Sequence, residues 1–156
     1  MADISESDFA QLVALDVLTL HDHTVAAGHE MDATSHGPKL RRDLEKSEIV
    51  MVRRCEEIVA YMSLWPKGDG LWFVGMINTH PDYRNAGILR ELIRGISVLI
   101  DQNNIKILRS NVYHTNLRSL ALHKKLGFRQ TRKNEFGLEL TLEVNRGKSI
   151  LQRFLS

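Results

Sequence analysis

The sequence has very little cysteine and no long hydrophobic run. Cys55 is the only cysteine, so no disulfide can form within the chain, and we expect a reducing, cytoplasmic location. The most apolar stretches, such as residues 58–65, are far shorter than the roughly 20 residues that a membrane-spanning helix needs. The first ten residues are acidic and polar, which is not typical of a secretory signal. We therefore expect no membrane partner.

A strong charge of one sign is also lacking. The chain has 21 Lys and Arg against 19 Asp and Glu, and aromatic residues make up only 6% of it. Basic stretches occur at residues 39–42 and 124–133, but acidic neighbours dilute the first, and no aromatic stacking platform interleaves either one. We therefore predict no nucleic-acid partner, and an interaction domain without a cofactor stays open as an alternative.

The histidines near the N-terminus lack the neighbours that a metal site needs. His21, His23, His29 and His36 are accompanied by no cysteine and by no regularly spaced carboxylates. A solvated polar loop is the simpler interpretation, so the sequence predicts no metal. The length of 156 residues suits a single domain over residues 1–156.

Hydrophobic periodicity predicts the secondary structure. Apolar residues recur at helical spacing most clearly over 87–102, and the polar segment 21–37 is expected to be a loop with at most a short helix. The predicted helices are 6–20, 38–46 (with Pro38 in its first turn), 87–102 and 116–126. The predicted strands are 48–54, 58–65, 71–79, 105–113 and two within 128–144, around a turn near Asn134.

The order of these elements predicts the fold class. Strand–helix–strand crossovers lie among hairpins, which is typical of an α/β domain with a mixed central sheet and helices on both faces. The tail, residues 145–156, places four apolar residues on one helical face. We expect it to pack on the domain or on a second subunit, which makes a homodimer possible.

Two segments carry a resemblance to a known family. HPDYRNAGILREL, beginning at His80, resembles the central motif of the GCN5-related N-acetyltransferase (GNAT) family. In that motif, Pro after a strand end is followed by Arg or Gln, two residues, Gly, one residue, and Gly or Ala. VYHTNLRSLALHKKLGF (112–128) resembles the family's second motif. The resemblance covers residues 48–144 well, and it implies a mostly antiparallel sheet.

The first motif also has a physical interpretation. The backbone amides at the start of a helix attract phosphate, and a glycine lets the backbone approach the ligand closely. The alternative is a strand–turn–helix junction in which Gly87 serves only the turn. Leu89 replaces the family's Gly or Ala, and its place in the apolar stripe favours a side chain directed away from the phosphates. The residues predicted to supply amides to the pyrophosphate of coenzyme A are Arg84, Asn85, Ala86, Gly87, Ile88 and Leu89.

The resemblance implies where the rest of the cofactor, acetyl-CoA, would lie. In the family the strand before the first motif splays from its neighbour, here 71–79 from 105–112, and the pantetheine arm enters the gap. It pairs with the backbone of residues corresponding to Ile77 and Thr79. Asn116 would contact the arm from the other side, although N-capping of the next helix is an equally good interpretation. Lys125 is a candidate contact for the 3′-phosphate end.

The implied activity is transfer of an acetyl or other short acyl group to a primary amine of a small molecule or peptide. Many relatives place a Glu or His base at positions equivalent to Phe73 or Gly75, and neither residue here accepts a proton. His123 occupies the place of the family's Tyr and is a candidate catalytic acid for the leaving thiolate; alternatively it lies on a partly exposed helix face without a role. The candidate bases in the 21–37 segment are His21, His23, His29, Glu30, Asp32 and His36, and the sequence does not choose among them.

The missing strand base and the missing Tyr also allow another function. A relative that keeps coenzyme A but has lost acyl transfer would be a binding module with a regulatory or interaction role. Thiol release from acetyl-CoA in the presence of amines separates this alternative from the transferase.

Overall fold

The computed structural model describes residues 3–145 and Gln152. The prediction that the tail, residues 145–156, packs on the domain or on a second subunit therefore lies mostly outside the described residues. The helices are α1 (Glu6–Ala26), α2 (Ala33–Glu45), α3 (Ala86–Asn103) and α4 (Leu117–Lys125), with a 3₁₀ turn at Pro81–Tyr83. The strands are β1 (Glu48–Arg54), β2 (Glu57–Gly68), β3 (Leu71–Thr79), β4 (Ile107–Tyr113), β5 (Arg129–Lys133) and β6 (Gly137–Glu143).

The six strands form one sheet in the order β1-β2-β3-β4-β6-β5. Only β3 and β4 are parallel, and the other neighbouring pairs are antiparallel. Helix α3 supplies the crossover between these two parallel strands, as such a connection requires. The predicted mixed and mostly antiparallel sheet is confirmed.

Two hydrophobic clusters lie on opposite faces of the sheet. One contains the apolar stripe of α3, including Leu92 and Ile96, together with Leu126 after α4. The other joins α1 and α2 to β2 through residues such as Leu12, Leu40 and Tyr61. Alternate residues of β2, such as Tyr61 and Met62, face the two clusters, because successive side chains of a strand point to opposite faces. The predicted helices on both faces are confirmed.

The N-terminal helices differ from the prediction. Helix α1 continues to Ala26, and α2 already begins at Ala33, so the predicted loop at 21–37 is mostly helical. The side chain of Asp32 caps α2 by accepting a hydrogen bond from the Ser35 amide at 2.8 Å. Pro38 consequently lies inside the helix rather than in its first turn. Polarity misled the prediction, because exposed polar residues suit the solvent face of a helix as well as a loop.

A bulge and a splay in β3 create the space for a site. Ser63 pairs with Met76 and Leu64 pairs with Val74, so Gly75 is an extra residue on β3. On its other side, β3 pairs with β4 only over Leu71–Val74, which lie opposite residues 107–110. Residues 75–79 therefore diverge from β4, and the splay implied by the resemblance is confirmed.

Candidate active site

A cavity of about 880 Å³ lies at this divergence. Because it passes through the gap between β3 and β4, it reaches both faces of the sheet. On the α1–α2 face it is lined by His36 and Lys39, and on the α4 face by Asn116 and His123. Two reactants can therefore meet in it from opposite sides. Of the predicted site residues Ile77, Asn116 and His123 line the cavity, whereas Thr79, residues 84–89 and Lys125 do not.

Residues 84–89 form the N-terminus of α3, shortly after β3 ends. The side chain of Asn85 caps the helix by accepting from the Ile88 amide at 3.0 Å. The Leu89 amide donates to the Asn85 carbonyl, and the Asn85 amide donates to Tyr83. Three of the six predicted amides are thus occupied by the fold itself. Within the described residues, the amides of Arg84, Ala86 and Gly87 make no hydrogen bond.

The space in front of Gly87 is open. A Cβ placed on this residue would approach only Asn85 Oδ1, at 3.3 Å, and would meet nothing else within 4 Å. The Leu89 side chain does not fill the space, because it is half-buried and packs against the cluster around α3. The prediction that Leu89 joins the apolar stripe is confirmed. The helix start is therefore accessible to an anion.

Arg118 was missed by the sequence reasoning and lies close to Arg84. Partial burial, and secondly the charge of Arg118, lower the pKa of the Arg84 guanidinium. Neither arginine forms a salt bridge with another described residue. Two cations without a carboxylate partner beside open amides make this corner electropositive. The available signal was the position of Arg118, two residues after the motif asparagine.

Asn116 has the capping role that was one of its two interpretations. Its side-chain oxygen accepts a hydrogen bond from the Ser119 amide at 3.2 Å at the start of α4. Asn116 also lines the cavity. The cap uses one of the two lone pairs of this oxygen, and the NH₂ group can donate to a ligand.

His123 is buried, with 2% of its surface exposed, so the alternative interpretation, a partly exposed helix face, is wrong. Its Nδ1 lies 2.7 Å from the Ser119 carbonyl oxygen, which can only accept, so Nδ1 carries the hydrogen. Nε2 lies 3.0 Å from Ser110 Oγ and accepts from that hydroxyl. Burial lowers the pKa of His123, against a smaller opposing effect of the Ser119 hydrogen bond. The arrangement favours a neutral imidazole.

The absence of a base on β3 has a steric cause. A Cβ on Gly75 would come within 2.2 Å of Trp65 Cζ3, so the indole occupies the place of a side chain. Trp65 is itself buried and lines the cavity, and its Nε1 has no hydrogen-bond partner among the described residues. A glutamate or histidine at position 75 is incompatible with this packing.

The candidate bases of the 21–37 segment differ in whether they line the cavity. His21 and His23 lie outside the cavity lining, and Asp32 is occupied in capping α2. His29, Glu30 and His36 line the cavity.

Among residues 3–145, no cluster of three His, Cys, Asp or Glu side chains is placed to hold a metal ion. None of the helices described is both long and apolar enough to span a membrane.

A family model described as the acetyltransferase (GNAT) family matches residues 15–128. The chain belongs to the GNAT acetyltransferase family. No curated protein sequence matches it significantly. This family membership agrees with the splayed sheet and with the two sequence motifs.

Several solved GNAT structures are similar in fold. PaiA N-acetyltransferase from Thermoplasma acidophilum, in complex with coenzyme A, has a TM-score of 0.73 and 12% identity over 91% of this chain and 96% of its own. A GNAT acetyltransferase from Elizabethkingia anophelis with acetyl-CoA bound has a TM-score of 0.58 and 19% identity, over 68% and 82%. The ribosomal-protein-S18-alanine N-acetyltransferase from Escherichia coli has a TM-score of 0.65 and 13% identity, over 92% of each chain. At these identities the likeness concerns the fold.

Proposed function

We propose that this GNAT protein transfers an acetyl or other short acyl group from acetyl-CoA to a primary amine by direct attack. The observation that carries the proposal is the gap between β3 and β4, which opens the sheet to both faces. Helix α3 packs on one face, and the acyl donor would bind at its N-terminus. The other lies beneath α1 and α2, where a small-molecule or peptide amine would enter.

The N-terminus of α3 would hold the pyrophosphate of coenzyme A. The cofactor carries about four negative charges at neutral pH. The amides of Arg84, Ala86 and Gly87 are free, and the helix dipole adds roughly half a positive charge there. Arg84 and Arg118 provide two cations at this corner. The amides of Asn85, Ile88 and Leu89 would contribute only if the Asn85 cap rearranges, while Lys125 is the proposed contact for the 3′-phosphate.

The pantetheine arm would lie along the open edge of β3. Beyond Val74 the strand has no pairing with β4, so backbone groups near Ile77 and Thr79 can bond a ligand instead. Such pairing uses main-chain groups and needs no particular side chain. Asn116, at the start of α4, lines the same cavity and would contact the arm from the other side. The thioester would then lie at the centre of the cavity, where a strand amide polarises its carbonyl.

The reaction forms a bond between the amine nitrogen and the acyl carbon, and it breaks the carbon–sulfur bond. Protonation of the leaving thiolate by His123 would require a charged ring, which burial of the imidazole disfavours. A thiolate also leaves readily without an acid. We therefore propose that His123 mainly positions Ser110, the last β4 residue paired with β3.

A coenzyme A-binding module without transfer is the second candidate. The observation in its favour is Trp65, whose indole excludes a base from position 75. One experiment separates the two functions: calorimetry with coenzyme A and acetyl-CoA, together with thiol release in the presence of a panel of alkylamines and peptides. Binding with amine-dependent thiol release supports the transferase, binding without release supports the module, and no binding contradicts both.

A further inference from the structure

A buried polar network links the two N-terminal helices to the sheet. The carboxylate of Asp16 is fully buried and accepts hydrogen bonds from the Tyr61 hydroxyl at 2.7 Å and from Asn78 Nδ2 at 2.9 Å. His36 Nε2 lies 2.7 Å from the same carboxylate. Four elements, α1, α2, β2 and β3, therefore converge on one acidic group. A buried carboxylate is costly unless its partners satisfy it, and here three do.

The other hydrogen bonds to Asp16 indicate which ring nitrogen of His36 carries a hydrogen. The Asn78 amide nitrogen can only donate, and Tyr61 stays a donor because burial, and then the charge of Asp16, raise its pKa well above the usual range. A carboxylate that receives these donors accepts a third from His36 Nε2–H. In the neutral ring the lone pair is then on Nδ1. This tautomer is the one that a proton acceptor needs.

The position of His36 leaves this lone pair accessible at a residue that lines the cavity. The side chain is 9% exposed and lines the cavity. Nδ1 has no hydrogen bond within the described residues and is not among their fully enclosed polar atoms. Asn78 neighbours Ile77 on β3, so the network is attached to the strand that would hold the acyl donor. Trp65 excludes a base from position 75, and His36 lies on the α1–α2 side of the same cavity.

The other titratable groups of this wall are less suited to the role. His29 is exposed, and its ring contacts Phe136 at a centroid distance of 5.2 Å. Glu30 is exposed and has no hydrogen bond or salt bridge with another described residue that would orient it. Lys39 and Asp43, also from α2, line the cavity but form no pair with the His36 ring. Among the histidines that the structure describes in the cavity lining, His36 is the one held by a buried carboxylate.

We propose that His36, held by Asp16, is the general base of the acyl transfer. This inference rests on the proposed function. His36 Nδ1 takes one proton from the incoming ammonium group, and the neutral amine attacks the thioester carbon. As the carbon–sulfur bond breaks, the nitrogen loses a second proton, which leaves with the thiolate or to water. His36 then releases its proton to solvent, and Asp16 acts as a positioning residue throughout.

The variant His36→Gln tests the assignment, because Gln can still donate to Asp16 but cannot act as a base. With propylamine, a strongly basic acceptor, we expect kcat to fall about 10²- to 10⁴-fold, with the KM for acetyl-CoA unchanged. With trifluoroethylamine, which is weakly basic and arrives neutral, we expect a much smaller loss. Equal losses with both amines, or wild-type rates with propylamine, would overturn the inference. The matched control is His21→Gln, an exposed histidine outside the cavity lining, which we expect to retain kcat with propylamine.

A second measurement does not depend on the variant's folding. In wild-type protein labelled with ¹⁵N, the His36 ring should carry its proton on Nε2 and none on Nδ1 at the pH of maximal turnover. A proton on Nδ1 there would overturn the inference. If wild type binds acetyl-CoA but transfers to neither amine, nor to any on the panel, then the proposed function itself fails. If wild type transfers and His36→Gln does so equally well, only the assignment of His36 fails.

Discussion

The indole of Trp65 lies so close to Gly75 that a Cβ on the glycine would come within 2.2 Å of Cζ3. The glycine is the extra residue of the β3 bulge, so the packing of one aromatic ring and the local shape of the sheet depend on each other. A side chain at position 75 must displace a buried tryptophan.

We therefore expect Gly75→Ala to lower the free energy of unfolding by about 1–3 kcal/mol, because overpacking forces the indole or the strand to move. Urea unfolding measures this loss. Gly37→Ala is the matched control, since its Cβ would meet nothing within 4 Å and Ala favours a helix. Gly37→Ala should be neutral or slightly stabilising, and equal effects of the two variants would contradict the prediction.

Arg118→Gln should weaken coenzyme A binding by about tenfold, because it removes one of two cations beside the open amides of α3. The dependence of binding on salt should also become shallower. Calorimetry at two salt concentrations measures both effects. Arg42→Gln, an exposed position on α2, should leave binding unchanged. Unaltered affinity of the Arg118 variant would show that this residue does not contact the phosphates.

Leu89→Ala should leave coenzyme A affinity unchanged while lowering the free energy of unfolding by roughly 1 kcal/mol. The side chain is half-buried against the α3 cluster, so its truncation removes packing and not an obstruction. Calorimetry and urea unfolding of the same sample provide the two values. A marked gain in affinity would mean that Leu89 obstructs the phosphate site.

The lowered pKa of His123 predicts a pH dependence of stability. Because burial disfavours the charged ring, the folded state binds fewer protons than the unfolded state just below pH 6.5, the ordinary histidine value. Its contribution is therefore complete above about pH 6.5 and is lost as the pH falls towards the lowered folded value. Relative to His123→Gln, wild type should lose more stability between pH 7 and pH 5 in urea unfolding. Parallel curves for the two proteins would contradict this.

The sequence predicted those parts of the fold in which one pattern dominates. The apolar stripe of α3 and the strands β1 to β4 follow directly from periodicity, and the splay was implied by the family motifs. The segment 21–37 was mispredicted because most of its polar residues are exposed, and exposed polar residues are compatible with the solvent face of a helix as well as with a loop. The Asp16–His36 pair joins residues 20 positions apart on two helices, so only the fold brings them together. The burial of His123 likewise depends on Ser110 across the sheet.

The short seam between β3 and β4 has a mechanical consequence. Strands β1–β3 form one leaf of the sheet and β4–β6 form the other, and four residue pairs join the leaves directly along this seam. A molecule that bonds along the open edge of β3 and also contacts α4 would fasten the two leaves together. Amide hydrogen exchange along residues 75–79 should then slow on binding, and the donor would act as a structural tie as well as a reactant.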